Sequence, residues 1–172
     1  ELVNDPGKQQ IIALNPTDGL IQWQLELDPS NPEQLNCATP DGAQMYCSQG
    51  TQLHQIDLTS QDLGWSMDLA ASLAWPVADQ DNVYAIDEAG TLTAVSTTDG
   101  SQVWQATELS VGTHHLMAFD GYITVSSANG NLYVLNTADG SQVWQTHLNA
   151  EGGESCPPAF ADNQIILSGQ DG

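Results

Sequence analysis

Along most of its length the chain is a succession of short apolar runs cut by Asp, Asn and Gly. "LAWPVADQDNVYAIDEAG" (Leu73–Gly90) and "HLMAFDGYITVSSANG" (His115–Gly130) each hold two such runs around one turn. "NCATPDGAQMYCSQG" (Asn36–Gly50) and "CPPAFADNQIILSGQDG" (Cys156–Gly172) repeat the plan. Runs this short, bounded by turn residues, predict pairs of antiparallel strands. A Gly closes the second strand at Gly50, Gly90, Gly130 and Gly172. Third strands follow over Thr51–Asp57, Thr91–Ser96 and Asn131–Asn136, and a fourth carries a tryptophan. No helical periodicity interrupts the pattern.

The tryptophans set the period. "ALNPTDGLIQW" ends at Trp23, "QIDLTSQDLGW" at Trp65, "AVSTTDGSQVW" at Trp104 and "VLNTADGSQVW" at Trp144, at intervals of 42, 39 and 40 residues. A unit of about 40 residues built from four strands is the signature of a propeller blade. The pairs Asp18-Gly19, Asp99-Gly100 and Asp139-Gly140 turn the third strand into the fourth, because Gly takes positive φ without steric cost. One copy has Ser60-Gln61 there and Gly64 just before its Trp, which predicts a less regular turn.

The first copy enters at a third strand, Gln9–Asn15, and the last copy shows only first and second strands, ending at Asn163–Gly169. Together they supply one blade, so the expected fold is an all-β propeller of four-stranded antiparallel blades, about four per chain. It forms a single domain over 1–172, with repeats at 28–68, 69–108, 109–148, and 149–172 plus 1–27. The divided blade closes within one chain or between chains. Glu1–Pro6 is longer than a tight connection needs and serves either route as a linker.

The motif Ala-x-[Asn/Asp/Ser]-x-x-Asp-Gly-x-x-x-Trp resembles the repeat of the pyrroloquinoline-quinone-like propeller family over nearly the whole chain. That family holds quinone-dependent dehydrogenases and also non-enzymatic scaffolds, such as an outer-membrane assembly lipoprotein whose propeller docks other proteins. The resemblance implies that Trp23, Trp65, Trp104 and Trp144 pack between neighbouring blades. It implies a quinone cofactor only if basic groups, a calcium cluster and a stacking Trp are present, and the basic inventory here is Lys8 alone.

Charge narrows the partners. Twenty-two acidic residues face one basic residue, for a net charge of −21. Such a chain cannot displace counterions from phosphates, which excludes nucleic acid. Attraction to anionic lipid is excluded on the same ground, and no apolar run is long enough for a membrane helix. The chain opens on Glu1 rather than Met, which suggests a leader already removed.

Cys37, Cys47 and Cys156 lack metal-site spacing. Some disulfide is expected, Cys37–Cys47 or Cys37–Cys156, which would indicate an oxidising compartment. With a two-residue turn at Asp41-Gly42, Cys37 would face Tyr46, so pairing with Cys47 needs a register shift or a bulge. Asp79–Asn82 with Asp87 and Glu88 offers oxygen donors for calcium, but the spacing suits a turn better. His114 and His115, adjacent on a strand, point to opposite faces and do not share one ion. His54 and His147 read as surface residues. No convergent catalytic set and no cofactor site emerge. The expected function is a non-catalytic scaffold outside the cell or in the periplasm, with a protein partner that includes a second copy through strand complementation. The alternatives are a ligand- or carbohydrate-binding propeller and a fragment of a quinone-dependent dehydrogenase.

Overall fold

The computed structural model describes residues 9–27, 31, 33–38, 42–71, 73–109, 112, 114–127, 129–148 and 157–167. Lys8, the Glu1–Pro6 segment, the Pro40-Asp41 part of one turn, Cys156 and Gly172 lie outside them. Every described element is a strand, so none is a helix able to cross a membrane.

Three four-stranded antiparallel sheets follow one another in chain order. The first blade holds β3 (Leu35–Ala38), β4 (Gln44–Gln49), β5 (Gln52–Asp57) and β6 (Asp62–Asp68). The second holds β7 (Val77–Ala78), β8 (Asn82–Ile86), β9 (Leu92–Ser96) and β10 (Gln102–Ala106). The third holds β11 (His114–Phe119), β12 (Tyr122–Ser127), β13 (Asn131–Asn136) and β14 (Gln142–His147). Before them β1 (Gln10–Leu14) pairs with β2 (Ile21–Glu26); after them β15 (Ala159–Ala161) pairs with β16 (Gln164–Ile166). These two hairpins remain separate two-stranded sheets. Among the described residues the two halves of the divided blade do not pair with each other.

The core lies between blades. The middle strands are buried on both faces, because each sheet is sandwiched by its neighbours. Leu27, Cys47 and Ile56 gather Ile11 and Leu25 of the β1–β2 hairpin onto the first blade. Tyr46 and Leu53 meet Val83, Ala85 and Val95 across the first and second blades. Tyr84, Ile86, Leu92 and Trp104 meet Leu116, Ile123, Val125 and Leu135 across the second and third. Phe119 stacks on Phe160, with ring centroids 4.3 Å apart, and so holds β15–β16 against the third blade. Each large apolar side chain buried this way contributes roughly 1.5–3 kcal/mol. Of the fourth strands, β2 and the second half of β6 alternate half-buried with exposed residues, whereas β14 is exposed throughout.

Three expectations change. Cys37 lies opposite Cys47 rather than Tyr46; Ala38 takes the place opposite Tyr46, and Cys37 and Cys47 form a disulfide across β3 and β4. The connection is thus longer than the two-residue turn assumed. The turn at Ser60-Gln61 is regular: Gln61 adopts φ 64° and its N–H donates to the Asp57 carbonyl (2.8 Å), as Gly100 does to Ser96 (3.0 Å). Asp57 Oδ1 accepts the N–H groups of Thr59 and Ser60, and this cradle holds the non-glycine residue in the left-handed region. Finally, His54 is not a surface residue. It is 5% exposed on β5, with Nδ1 2.8 Å from Ser66 Oγ on the paired strand. His147 is exposed, as expected.

Candidate interaction surface

The tryptophan of each fourth strand is aimed by a bulge. Ala94 faces Trp104 while Val95 faces Gln102, so Val103 is an extra residue. Val143 is extra in the same way before Trp144, and Gln22 before Trp23. In the first blade Gln55 faces both Gly64 and Trp65. A bulge turns the strand locally and redirects its side chains. Here it sends the indole out of its own sheet toward the next blade.

What the indole meets there is the Asp-Gly turn of that blade. Trp65 Nε1 donates to the Thr97 carbonyl (3.1 Å), and Trp104 Nε1 to the Thr137 carbonyl (2.8 Å). Each ring lies flat on the glycine of the turn. A Cβ at Gly100 would come within 2.7 Å of Trp65, and one at Gly140 within 2.5 Å of Trp104. Both glycines have φ near +72°, so glycine serves the seat twice, by conformation and by room. The seat is tied to its own blade, since Thr97 N–H donates to Asp81 O and Thr137 N–H to Gly121 O. Asp99 and Asp139 brace it by accepting the N–H and hydroxyl of Ser101 and Ser141. These hydrogen bonds hold both carboxyls below the usual carboxylate range. Gly64 also has a reason: the Gln55 amide fills the space a Cβ would need and shares the Thr97 carbonyl with Trp65.

Beneath each seated ring is a tyrosine of the same blade. Tyr46 lies 5.9 Å from Trp65 and Tyr84 5.8 Å from Trp104, between centroids. Tyr84 donates to Asp79 Oδ2 (2.8 Å), and burial together with that carboxylate pushes its phenol well above the usual tyrosine range. The third blade places Thr124 at the corresponding point of β12.

The four tryptophans do not share one fate. Trp104 is 9% exposed, whereas Trp144, in an identical local sequence, is 42% exposed. Its indole N–H finds no acceptor among the described residues. Trp23 is half-buried and likewise makes no indole bond there; the corresponding turn of the next blade carries Gln61 in place of glycine. Beside Trp144 lies a groove of about 490 Å³ lined by Tyr122, Val134, Val143, Phe160 and Ile165. Its side chains are mostly aliphatic and aromatic, with the Asn163 amide and the Tyr122 hydroxyl as polar groups. At the other end of the chain, Gly19 has φ +72°, and a Cβ placed there would meet nothing within 4 Å among the described residues.

The remaining expected sites are dispersed. Asp79 accepts two backbone N–H groups and the Tyr84 hydroxyl, so it builds a turn. Asp87 is buried and accepts the Thr91 N–H. No cluster of three or more His, Cys, Asp or Glu able to hold a metal occurs among the described residues. His114 and His115 open β11. Trp75, outside the repeat, is 59% exposed in a second cleft of about 510 Å³ with Asp87, Glu88 and His115. Neither the bulges nor the exposure of Trp144 was deduced from the sequence. The one sequence signal for the second is the loss of tyrosine at Thr124.

The family model described as outer membrane protein assembly factor BamB matches residues 7–172. BamB from Moraxella catarrhalis superposes with a TM-score of 0.76 at 21% identity, over 90% of this chain and 51% of that one. The computationally designed Ika4 protein gives 0.70 at 14% identity, over 81% of this chain and 88% of its own. The designed Ika8 protein gives 0.70 at 14%, over 80% and 43%. This chain therefore spans about half the length of the BamB chain it matches. No curated protein matches the sequence.

Proposed function

For a chain that belongs to the PQQ-like repeat family of the outer membrane protein assembly factor BamB, we propose a non-catalytic, exported role as a protein-interaction scaffold that associates with itself. The observation that carries this reading is the uncovered apolar groove at Trp144. A half-exposed indole among Tyr122, Val143 and Phe160 has the composition of an interface centre, where aromatic side chains supply much of the binding energy. The family's character as that of an assembly factor supports a protein rather than a small molecule as the occupant. The Cys37–Cys47 disulfide supports an oxidising location.

The self-association reading is tested by absolute mass from light scattering across a concentration series, at about 0.5 M salt. That ionic strength shortens the screening length to a few ångströms and mutes repulsion between two chains of charge −21. The expected mass is a multiple of 18.3 kDa. A mass of one chain at every concentration rejects self-association. A second reading, carbohydrate binding, is favoured by Trp75, exposed beside the polar groups of its cleft. Quenching of tryptophan fluorescence by an oligosaccharide series, lost in Trp75→Ala, would select it.

A further inference from the structure

The repeat carries its own docking rule. An indole leaves a bulged fourth strand, lies on the glycine of the next Asp-Gly turn, and donates to the carbonyl three residues before that glycine. Trp65 obeys it on Thr97 and Gly100, and Trp104 on Thr137 and Gly140. Applied to the remaining tryptophans, the rule sorts them. The turn where the rule would send Trp23 carries Gln61 in place of glycine. Trp144 has the right strand, the right bulge and the right preceding sequence, but no turn to sit on among the described residues. Applied to the remaining turns, it finds one more seat of the required kind: Asn15-Pro16-Thr17-Asp18-Gly19.

That seat is built and empty. Gly19 N–H donates to the Asn15 carbonyl (2.8 Å), as in the occupied turns, and Asp18 Oδ1 accepts the Leu20 N–H (3.0 Å). Gly19 has the φ of Gly100 and Gly140, yet a Cβ placed there would meet nothing within 4 Å among the described residues. Pro16 stands where Thr97 and Thr137 stand, so it presents the carbonyl that an indole N–H would use. Being proline, it lacks the N–H that ties the other seats to the hairpin turn of their own blade.

Resting on the self-association reading, we propose that Trp144 of one copy seats on the Asn15–Gly19 turn of a second copy. The indole lies on Gly19 and donates to the Pro16 carbonyl. The same contact brings β1 of the second copy beside β16. By the pairing seen in the third blade, where Tyr122 faces Asn136 and Thr124 faces Val134, Gln164 faces Asn15 and Ile166 faces Ala13. One four-stranded blade is then made from two chains, and the exposed Leu14, Leu20 and Ile166 gain neighbours. A second copy is the occupant because each chain carries both the unfilled seat at Gly19 and the unseated Trp144, and among the described residues its β1–β2 and β15–β16 hairpins do not pair with each other.

The test uses the 172-residue chain, its Trp144→Ala and Gly19→Asn variants, and Gly42→Asn as control. Asparagine tolerates positive φ, so it adds little beyond a Cβ and an amide. Gly42, with φ +86° and open space, reports the same backbone change away from the seat. A thermal transition for each variant checks folding, and sedimentation equilibrium reads association. The expected result is association weakened about thirtyfold or more by both Trp144→Ala and Gly19→Asn, the scale of an interface hot spot, and unchanged by Gly42→Asn. Association that survives in both variants overturns this pairing while the scaffold reading stands. Loss in only one of the two also overturns it, because the indole or the turn then has another partner. A wild-type chain that never associates overturns the pairing together with self-association.

Discussion

Trp104 and Trp144 sit in the same seven residues, Asp-Gly-Ser-Gln-Val-Trp-Gln, on the same kind of bulged strand. One is nearly buried and hydrogen-bonded, and the other is almost half exposed with no acceptor among the described residues. Local sequence fixed the strand, the bulge and the direction of the ring in both. Burial came from the neighbour: Gly140 and Thr137 receive Trp104, and no equivalent turn among the described residues receives Trp144. In a repeat protein the stability of a unit lies largely in its interfaces, and this pair isolates that term with the sequence held constant.

Removing each ring should separate the two sites most strongly. Trp104→Ala deletes a packed indole over Tyr84 and strands the Thr137 carbonyl, at a cost of about 3–5 kcal/mol. Trp144→Ala, measured where the chain is single, costs about 1 kcal/mol, in the range of ordinary partly exposed substitutions. Urea denaturation of both variants at low concentration checks the difference. Equal losses would mean that Trp144 is as well packed in solution as Trp104.

The seats can be compared as the rings can. Gly140→Ala meets Trp104 at 2.5 Å and so adds overpacking, about 1–3 kcal/mol, to the left-handed backbone penalty. Gly19→Ala carries only the backbone penalty, about 1–2 kcal/mol, while its seat is empty. The melting temperatures of the two variants should separate at low protein concentration. They should converge at high concentration, where a second copy fills the Gly19 seat.

How far these differences were readable from sequence depends on their range. Strand pairs, the Gly-closed second strands and the Asp-Gly turns depend on neighbouring residues, and they were legible. So was the family, through the Trp spacing. What escaped needed a partner far along the chain. His54 reads as a lone polar residue on a strand, and only the fold shows that a blade on each side buries β5. The register of Cys37 against Cys47 depended on a connection longer than its Asp-Gly pair suggested. The bulges depend on one extra residue, such as Val103, which keeps the apolar pattern while shifting the phase. Gln61 was misjudged because the compensation comes from the carboxylate of Asp57, four residues back.

The first and third blades offer a second contrast. The first joins its outer β3 to β4 over four residue pairs and adds the Cys37–Cys47 disulfide, whereas the third joins β11 to β12 over six pairs without one. A covalent link thus accompanies the shorter ladder. Replacing both cysteines by serine should cost about 2–3 kcal/mol, the chain-entropy value for a loop of this size. The loss should be local. Hydrogen exchange should show faster opening over Leu35–Gln49 and unchanged protection over Tyr122–Asn136. Equal acceleration in both would mean that the arc of blades opens as one unit.

The smallest effect concerns the carboxylates that brace the occupied seats. Hydrogen bonds to Ser101 and Ser141 lower the carboxyls of Asp99 and Asp139 from the ordinary value of 3.8. The sign follows from linkage: the folded state binds the proton more weakly than the unfolded state, so the carboxylates stabilise the fold above the unfolded value. That contribution is lost as pH falls through the lowered folded value. An opposing trend runs beside it, because protonating other acidic groups relieves the repulsion of a chain of charge −21. The two separate in the Asp99→Asn, Asp139→Asn double variant. Asparagine still offers Oδ1 to the serine N–H, so the turns keep their form, but the charge is gone. Acid titration of stability should show the wild type falling more steeply than the variant below about pH 4, with the two parallel above it. Identical acid limbs would mean that these hydrogen bonds persist no better in the folded chain than in the unfolded one, and that Gly100 and Gly140 hold their seats without help from the carboxylates.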